Sequence, residues 1–382
     1  MAISKDRILT THVGSLPRSA ELSAFLFAKD SGEDYDPAAF EACVTAEVEA
    51  VVKRQVESGI DLVSDGEMSK ISYATYVAER LTGFGGNAPR NVPQDLDDYP
   101  GYRDKIASSG DTPKLKRPCC VGAVSVRDLE PLDRDLKNLT GAAKAAAAAG
   151  SFMNAATPGV IAIFQPNQHY PDHDSYLEAL ADAMKQEYDR IYKAGVVLQL
   201  DSPDLAFGRH VIFKDLSDAE FVKRAERQVE VLNHALRDIP AEAMRLHICW
   251  GNYEGPHTHD IAMEQVYDTL MKVKPQAVLF ETSNPRHAHE WRVFKERGVP
   301  EDKVLIPGVI DSTTNFVEHP ELVAQRILRF TDLVGRERVI AGSDCGFSTF
   351  AGFGKIEQEI CYAKLKSLSQ GAEMASEQLW GW

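Results

Sequence analysis

The sequence predicts a (βα)8 barrel of the α/β class, formed as a single domain by residues 1–382. Short apolar runs alternate along the chain with long helical patterns. Most of the runs are nearly continuous in Val, Ile and Leu, which is typical of parallel strands buried on both faces. A strand followed by a helix, repeated eight times, is the sequence form of this barrel, and 382 residues suit one barrel with insertions.

Eight runs are predicted as strands: 60–64, 119–124, 160–164, 196–201, 245–250, 277–282, 304–311 and 339–344. Helices are predicted over 36–57, 175–194, 217–238 and 320–334. Residues 8–13 predict a ninth strand, which either closes the base of the barrel or pairs outside it. The alanine-rich segment 141–150 predicts a turn of helix, because alanine is the best helix former.

One segment departs from this alternation. Residues 83–116 are rich in Gly, Pro and Asp and have little periodicity. A loop of this length without a function or secondary structure of its own is uncommon in a compact domain. It is therefore expected to be an insertion that forms either a lid over the site or a surface excursion.

Composition excludes several classes of protein. The formal net charge of −15 argues against binding of nucleic acid or an anionic membrane through bulk electrostatics. No run approaches the length of a membrane span, and the N-terminus carries no apolar leader. The six cysteines are few and irregularly spaced, which argues against a disulfide framework. We therefore expect a cytoplasmic protein whose partners are small molecules.

A candidate metal site comes from two predicted strands. His247 and Cys249 are two residues apart, so their side chains point to the same face of a strand. Cys345 follows the last predicted strand and precedes a glycine, and Glu281 ends another strand at the same rim. Three such ligands with one exchangeable position are typical of catalytic zinc. The alternative is a core cysteine beside a hydrogen-bonded histidine.

The other cysteines and histidine pairs are interpreted differently. Cys119 and Cys120 are adjacent and face opposite sides of a strand, and Cys43 and Cys361 lie in helical patterns, so all four are expected to pack in the core. The pairs His257/His259 and His287/His289 have ligand-like spacing but fall in polar loop or helix-start segments. A metal role is the minor alternative for them.

Six motifs give the chain a resemblance to the cobalamin-independent methionine synthase family, and specifically to its C-terminal catalytic barrel. They occur in the family's order and at about its spacing, over nearly the whole chain. They are Thr11-His12-Val13-Gly14-Ser15-Leu16-Pro17, Asp65-Gly66-Glu67, Gln199-Leu200-Asp201-Ser202-Pro203, His247-Ile248-Cys249, Phe280-Glu281-Thr282-Ser283 and Ser343-Asp344-Cys345-Gly346.

The resemblance implies a function and a set of residues. It implies a zinc enzyme that transfers a methyl or other alkyl group to a thiol such as homocysteine, with the thiol entering as the exchangeable ligand. The implied zinc ligands are His247, Cys249, Cys345 and, at rest, Glu281. The residues implied to hold an amino-acid substrate are Ser15, Glu67 and Asp201. On residue type alone, Ser15 could instead cap a turn and Glu67 could be a charge at a helix N-terminus.

The chain also departs from that family. Family members have a second barrel-like half that this chain lacks. Thr313 stands where they have a proton-donating histidine after the aspartate that matches Asp311. His12 and His319 therefore become the candidate proton donors, and Asp311 is the third candidate catalytic residue. An amine is a poor leaving group without a proton, which puts a folate donor in doubt.

Several alternatives therefore remain open. The short form also resembles epoxyalkane:coenzyme M transferase, which opens epoxides with a thiol, and short methionine synthases that take methyl from a corrinoid protein. A corrinoid protein partner and a homo-oligomer are both compatible with the sequence. A zinc hydrolase with Glu281 as base and a non-catalytic thiol-binding or zinc-storage protein are the minor alternatives.

Overall fold

Eight parallel strands form a barrel that is nearly closed. The computed structural model describes residues 3–89, 91–108, 115–352, 354 and 356–381. The eight-stranded sheet has the order β1-β10-β9-β8-β7-β6-β5-β2. Its strands are β1 (Leu9–Thr10), β2 (Leu62–Val63), β5 (Gly150–Ala156), β6 (Val197–Asp201), β7 (Met244–His247), β8 (Ala277–Phe280), β9 (Val304–Ile310) and β10 (Ile340–Ser343).

The stretch predicted as a ninth strand supplies the first strand of the barrel. Leu9 and Thr10 pair in parallel with β10. On the other side of β1, the Asp61 amide donates to the Thr10 carbonyl over 3.2 Å, and the Thr11 hydroxyl donates to the Leu62 carbonyl over 3.1 Å. These bonds draw β1 towards β2, so the segment helps to close the barrel.

Two of the eight predicted strands do not belong to the barrel. Residues 160–164 belong to helix α7, which begins after the N-cap Thr157 and has Pro158 in its first turn. Every residue from Pro158 to Ile163 is buried, and a helix buried all round has the same continuous apolar pattern as a buried strand. The barrel strand is instead β5, which begins at Gly150, where only a helical turn was predicted.

The second of these segments, 119–124, does contain a strand, but that strand lies outside the barrel. Cys119 and Cys120 form β4, which pairs antiparallel with β3 (Phe84–Gly85). This two-stranded ribbon forms the base of the predicted insertion. The insertion also contains two short helices, α4 (Gln94–Asp98) and α5 (Pro100–Ser108). Residues 90 and 109–114 of the predicted segment lie outside the described residues.

The remaining helices surround the barrel, and several begin at side-chain caps. Asp36 accepts from the Ala38 amide at the start of α2, and Ser217 forms a capping box with Glu220 at the start of α10. These helices are α1 (Ala20–Ser31), α2 (Pro37–Glu57), α3 (Val77–Arg80), α6 (Glu130–Ala145), α7 (Pro158–Phe164), α8 (His173–Lys193), α9 (Gly208–Val211), α10 (Asp218–Ala235), α11 (Met263–Met271), α12 (Trp291–Arg297), α13 (Pro320–Val334) and α14 (Gln358–Trp380). Among the described residues, no helix is both long and apolar enough to cross a membrane.

A buried cation lies inside the barrel. The Arg245 guanidinium stacks 3.4 Å from the centre of the Phe152 ring. It donates to the Gln199 side chain, the Thr11 hydroxyl and the His12 carbonyl over 2.7 to 2.8 Å. These bonds tie β1 to β6 and β7 beneath the carboxyl ends of the strands, where barrel enzymes carry their chemistry.

Candidate active site

Three side chains that could hold a metal ion meet at the carboxyl ends of β7 and β10, and we refer to them as the metal-binding group. The Cys345 Sγ lies 3.0 Å from the Cys249 Sγ and 3.8 Å from the His247 Nε2. All three atoms lie within 4.8 Å of one another, and each residue is buried. In the described part of the chain this is the one group of three or more histidine, cysteine or carboxylate side chains with that geometry.

Local backbone structure explains the convergence. His247 is the last residue of β7, and Cys249 lies two positions further on the same face. Cys345 follows β10 by two residues. A β-carbon at the next position, Gly346, would lie 2.0 Å from the Ser15 Oγ. Glycine there lets the loop after β10 approach the loop after β1, so that Cys345 and Ser15 face the same cavity.

Asp201 orients His247. The Asp201 Oδ1 lies 3.3 Å from the His247 Nδ1, which leaves the Nε2 directed at the thiols. The carboxylate is itself held by the Asn154 amide over 2.8 Å and by the Gln199 amide over 2.8 Å. A histidine that hydrogen-bonds a carboxylate through one nitrogen and presents the other is typical of metal sites.

Glu281 lies beside this group but is hydrogen-bonded elsewhere. Its Oε1 is 3.5 Å from the Cys345 Sγ and accepts from the Trp250 amide over 2.9 Å. Its Oε2 accepts from the Asn284 side chain over 2.7 Å. Glu281 is thus close enough to act as a fourth ligand but is held by two donors, as expected for an exchangeable position.

The donor set fits a metal ion. A tetrahedron with ligand bonds of about 2.0–2.3 Å has edges of roughly 3.3–3.8 Å, close to the separations of these atoms. The hydrogen bond with Cys345 lowers the pKa of Cys249, but burial and Glu281 outweigh it and bring the pKa to about 11. Burial also raises the pKa of Cys345. Two buried thiols are thus poor acids by themselves, and a cation between them would stabilise both thiolates.

A cavity of about 540 Å³ opens onto this group. His247, Cys249, Cys345, Ser15, Glu67 and Asp201, all of which the sequence predicted for the site, line its wall. Much of the remaining wall is aromatic or aliphatic: Val13, Tyr73, Val92, Pro93, Leu96, Ile106, Phe164, Pro203, Phe207, Tyr253, Phe347 and Phe350. The metal-binding group thus lies in a largely apolar chamber with carboxylates on its wall.

Glu67 is an unusual residue of this wall. Its backbone φ of 59° is in the left-handed region. Its side chain is buried, and the Oε2 atom has no hydrogen-bond partner. Burial raises the pKa of Glu67 to about 8, although Lys70 opposes the shift. The Arg18 guanidinium holds this loop by donating to the carbonyls of Glu67 and Lys70 over 2.8 and 3.0 Å. A buried carboxylate oxygen without a partner suits a cationic ligand.

The structure gives the candidate proton-transfer residues other roles. His12 is fully buried away from the cavity wall, with its Nε2 2.7 Å from the Gln55 side chain, and burial lowers its pKa to about 4. His319 is exposed and caps α13 by accepting from the Glu321 amide. Both Asp311 oxygens accept from the amides and hydroxyls of Thr313 and Thr314, so Asp311 fixes a loop. The catalytic roles expected for His12, His319 and Asp311 stay predictions, because these contacts neither include nor exclude a substrate.

The histidine pairs 257/259 and 287/289 do not join the metal-binding group. Two of these histidines contact Asp260, at 2.9 Å from the His257 Nδ1 and 3.0 Å from the His287 Nε2. The His259 Nε2 lies 2.5 Å from Asp98 on α4. Their ligand-like spacing therefore has a structural explanation in carboxylate contacts.

The sequence interpretation missed Asn154 and Tyr73. Asn154 lies on β5, and because that strand was assigned to a different segment, the inward position of Asn154 could not be deduced. Tyr73 lines the cavity and packs edge-on against Phe164 and Phe350, at centroid distances of 5.5 and 5.6 Å. Tyr73 is a polar aromatic just beyond the Asp65-Gly66-Glu67 motif, which was the one available signal.

Comparison with known proteins places this site in a family. The model of the catalytic domain of cobalamin-independent synthases matches residues 8–93 and 130–367. The chain is 26% identical over 379 residues to the methionine synthase of Saccharolobus solfataricus, covering 97% of this chain and 95% of that protein. It is 24% identical over 378 residues to the methionine synthase of Sulfolobus acidocaldarius, covering 97% and 93%.

Solved structures agree with the fold. A B12-independent methionine synthase from Shewanella sp. W3-18-1, in complex with selenomethionine, superposes with a TM-score of 0.72 at 19% identity, covering 98% of this chain and all of that chain. A putative vitamin-B12 independent methionine synthase from Listeria monocytogenes superposes with a TM-score of 0.67 at 19% identity, covering 98% of each chain. These likenesses support the (βα)8 barrel.

The comparisons also show how much of the chain the relatives share. The two methionine synthases are matched over 95% and 93% of their own length. The family model does not match residues 94–129, which include α4 and α5. The match nevertheless contains all of the metal-binding group, and the chain is therefore a methyltransferase that belongs to the cobalamin-independent synthase family through its catalytic domain.

Proposed function

We propose that this enzyme is a zinc-dependent thiol S-methyltransferase whose thiol substrate is an amino acid such as homocysteine. One observation carries the proposal: the His247, Cys249 and Cys345 group and the unpartnered carboxylate oxygen of Glu67 belong to the same cavity. An amino-acid thiol carries a thiol at one end and an ammonium group at the other. The thiol would lie at the metal-binding group, and the ammonium group would lie at Glu67. The names of the archaeal relatives point to the same class of substrate.

Zinc is the metal that best suits the donor set. Two cysteines and one histidine with a carboxylate nearby form a sulfur- and nitrogen-rich set, whereas Mg²⁺ and Ca²⁺ prefer oxygen ligands. Zinc held there would supply a Lewis acid that keeps the substrate thiol ionised at neutral pH. His247, Cys249 and Cys345 would hold it, and Glu281 would act as the exchangeable fourth ligand.

The chain's own residues would orient the substrate. Asp201 fixes the ring of His247 and adds negative charge to the wall where an ammonium group would lie, and Glu67 adds a second negative charge once it loses its proton. The pKa of Glu67, raised to about 8, implies that an arriving ammonium favours loss of its proton. The aromatic wall keeps water away from the reacting thiol, which would increase its reactivity.

The test combines metal content with product analysis. Zinc-loaded protein is incubated with L-homocysteine and a panel of methyl donors, and S-methylated product is followed by mass spectrometry. We expect methionine with at least one donor, and we expect a Cys345→Ser variant to form none. Methylation at equal rates by the metal-free and zinc-loaded proteins would overturn the zinc assignment.

A second candidate is the opening of an epoxide by a thiol. The largely apolar wall formed by residues such as Phe164, Phe207 and Phe350 favours this candidate, because a small hydrocarbon epoxide would be accommodated there. The thiol substrate of this second reaction is best distinguished from an amino-acid thiol by the charge of its tail. A sulfonated thiol would be repelled by Glu67 and Asp201, whereas an amino-acid thiol would be attracted.

A further inference from the structure

Residues 91–106 form the outer wall of the cavity and carry an unusual buried carboxylate. Val92, Pro93, Leu96 and Ile106 of this segment line the cavity, and we refer to residues 91–106 as the lid. Over this segment Asp95 and Leu96 are the buried residues, with Asp95 0% exposed. A buried carboxylate is costly unless donors satisfy it, so its partners determine where the lid can rest.

The partners of Asp95 come from the loop that carries the metal-binding group. The Tyr253 hydroxyl lies 2.7 and 2.6 Å from the two oxygens of Asp95. The His257 amide donates to the Oδ2 over 2.7 Å. Both partners follow β7 within the segment that begins with His247 and Cys249. Tyr253 is also part of the cavity wall, so one contact joins the lid, the cavity and the metal-bearing loop.

The receiving loop is firmly held. His257 has a left-handed φ of 52°, which is strained for a non-glycine residue and persists only where surrounding contacts impose it. Here the His257 Nδ1 contacts Asp260 at 2.9 Å, and Asp260 contacts the His287 Nε2 at 3.0 Å. His287 is in turn 2.8 Å from Glu290, which anchors the loop beside α12.

The other polar contacts of the lid lie at the surface. Asp98 pairs with His259, and Asp97 pairs with Lys214 at 3.1 Å, with both carboxylates about half exposed. The Tyr102 hydroxyl donates to the Glu254 carbonyl. Exposed ion pairs contribute little to stability, whereas removing a donor from a buried carboxylate costs more. The buried contact of Asp95 is therefore the strongest of these polar contacts.

We propose that Asp95 is a positioning residue that latches the lid closed through Tyr253 and His257, so that the thiol and its alkyl donor react in a chamber closed to water. Asp95 lies in a stretch that the family model does not match, whereas Tyr253 and His257 lie in the matched part. The role of the latch in the reaction rests on the proposed function, whereas its role in closing the lid does not.

Hydrogen–deuterium exchange of the zinc-loaded protein tests the latch. Tyr253→Phe removes one hydroxyl, Asp95→Asn removes the charge, and Asp98→Asn removes an exposed pair of the same lid as the matched control. We expect amides of residues 91–106 to exchange about tenfold faster in the first two variants and less than threefold faster in the control. Amides of β9 should not change in any variant, which checks that the barrel is intact.

A kinetic measurement then separates latching from simple packing. In the active enzyme, L-homocysteine should slow exchange of the lid, and the slowing should be lost in Tyr253→Phe. The rate constant kcat should fall about tenfold with a smaller change in the KM for the thiol. Unchanged lid exchange in both Tyr253→Phe and Asp95→Asn would overturn the latch. Absence of turnover in the wild-type enzyme, with the exchange result intact, would instead count against the proposed function.

Discussion

Asp201 and His247 form the contact on which the proposed metal centre depends, with the Asp201 Oδ1 3.3 Å from the His247 Nδ1. The two residues also pair in register across β6 and β7. The carboxylate fixes the ring so that the Nε2 faces Cys345. Asp201 therefore joins the candidate metal site to the wall of the cavity, where the substrate's ammonium group is proposed to bind.

Replacement of Asp201 should weaken metal binding without abolishing it. Loss of such a carboxylate partner typically lowers metal affinity by about 10- to 100-fold. We expect Asp201→Ala to shift zinc affinity by this amount in a chelator competition, because the His247 ring loses its orientation. Asp201→Asn keeps an acceptor oxygen and should lose less zinc affinity than Asp201→Ala. Equal zinc affinity in wild type and Asp201→Ala would contradict the role given to this carboxylate.

The cysteine ligands should be essential for zinc. Purified protein is expected to contain close to one zinc per chain, and Cys249→Ser or Cys345→Ser should lose it. His247→Ala should lose zinc affinity as well, and Glu281→Gln should retain zinc because Glu281 is held by Trp250 and Asn284. Metal content by mass spectrometry is the measurement. Cys43→Ser, on α2, is the matched control. Full zinc retention in both ligand-cysteine variants would refute the assignment.

Some of this site could be predicted from the sequence and some could not. The spacing of His247 and Cys249 places two ligands on one face of a strand, and the carboxyl ends of parallel strands share one rim. Those rules brought Cys345 and Glu281 to the same place without any structure. The position of Asn154 could not be found, because 150–156 has no strong apolar run and the buried helix 158–164 does.

Contacts between distant loops were also beyond sequence reasoning. The pairing of Asp95 with Tyr253 spans 158 residues and depends on how an inserted segment folds back over the barrel. The hydrogen bonds of His12 and His319 are equally invisible in the sequence. Both histidines were candidates because of residue type alone, and their surroundings give them structural roles.

Glu67 should destabilise the metal-free protein as pH rises. Its pKa is about 8 in the folded protein and near 4.5 when exposed, so between these values the folded state binds more protons than the unfolded state. The contribution of Glu67 to stability is therefore present below pH 4.5 and is lost as pH rises through 8. Since one unit of pKa corresponds to about 1.4 kcal/mol, Glu67→Gln should raise the free energy of unfolding at pH 8 by up to roughly 4 kcal/mol and leave it nearly unchanged at pH 4.5. Urea unfolding at the two pH values is the check, and equal effects at both would exclude a raised pKa.

The same variant should weaken binding of an amino-acid thiol. A charge-assisted hydrogen bond contributes about 1.5–3 kcal/mol, so Glu67→Gln should raise the dissociation constant of homocysteine by about tenfold or more. Calorimetry on the zinc-loaded protein measures this. A thiol of similar length without an ammonium group is the matched ligand control and should bind equally to both proteins. Unchanged affinity for homocysteine would favour a thiol with a different tail.

The identity of the alkyl donor gives the last prediction, and it depends on proton supply. Among the described residues, His247 is the one histidine on the cavity wall, and it belongs to the metal-binding group. Thr313, which also lines the cavity, stands where a proton donor was expected. General acid catalysis typically contributes 10²- to 10⁴-fold in rate, so a donor that leaves as a basic amine should react slowly here.

We therefore expect negligible turnover of homocysteine with methyltetrahydrofolate and faster turnover with a donor whose leaving group needs no proton, such as methylcobalamin. The measurement compares methyltetrahydrofolate, methylcobalamin and a small epoxide at equal concentrations by loss of free thiol. A Thr313→His variant restores an imidazole to the cavity wall, and it should raise the rate with the folate more than the rate with methylcobalamin. Rapid turnover of the folate by the wild-type enzyme would contradict this prediction, since the proton would have to come from a group other than His247 and Thr313.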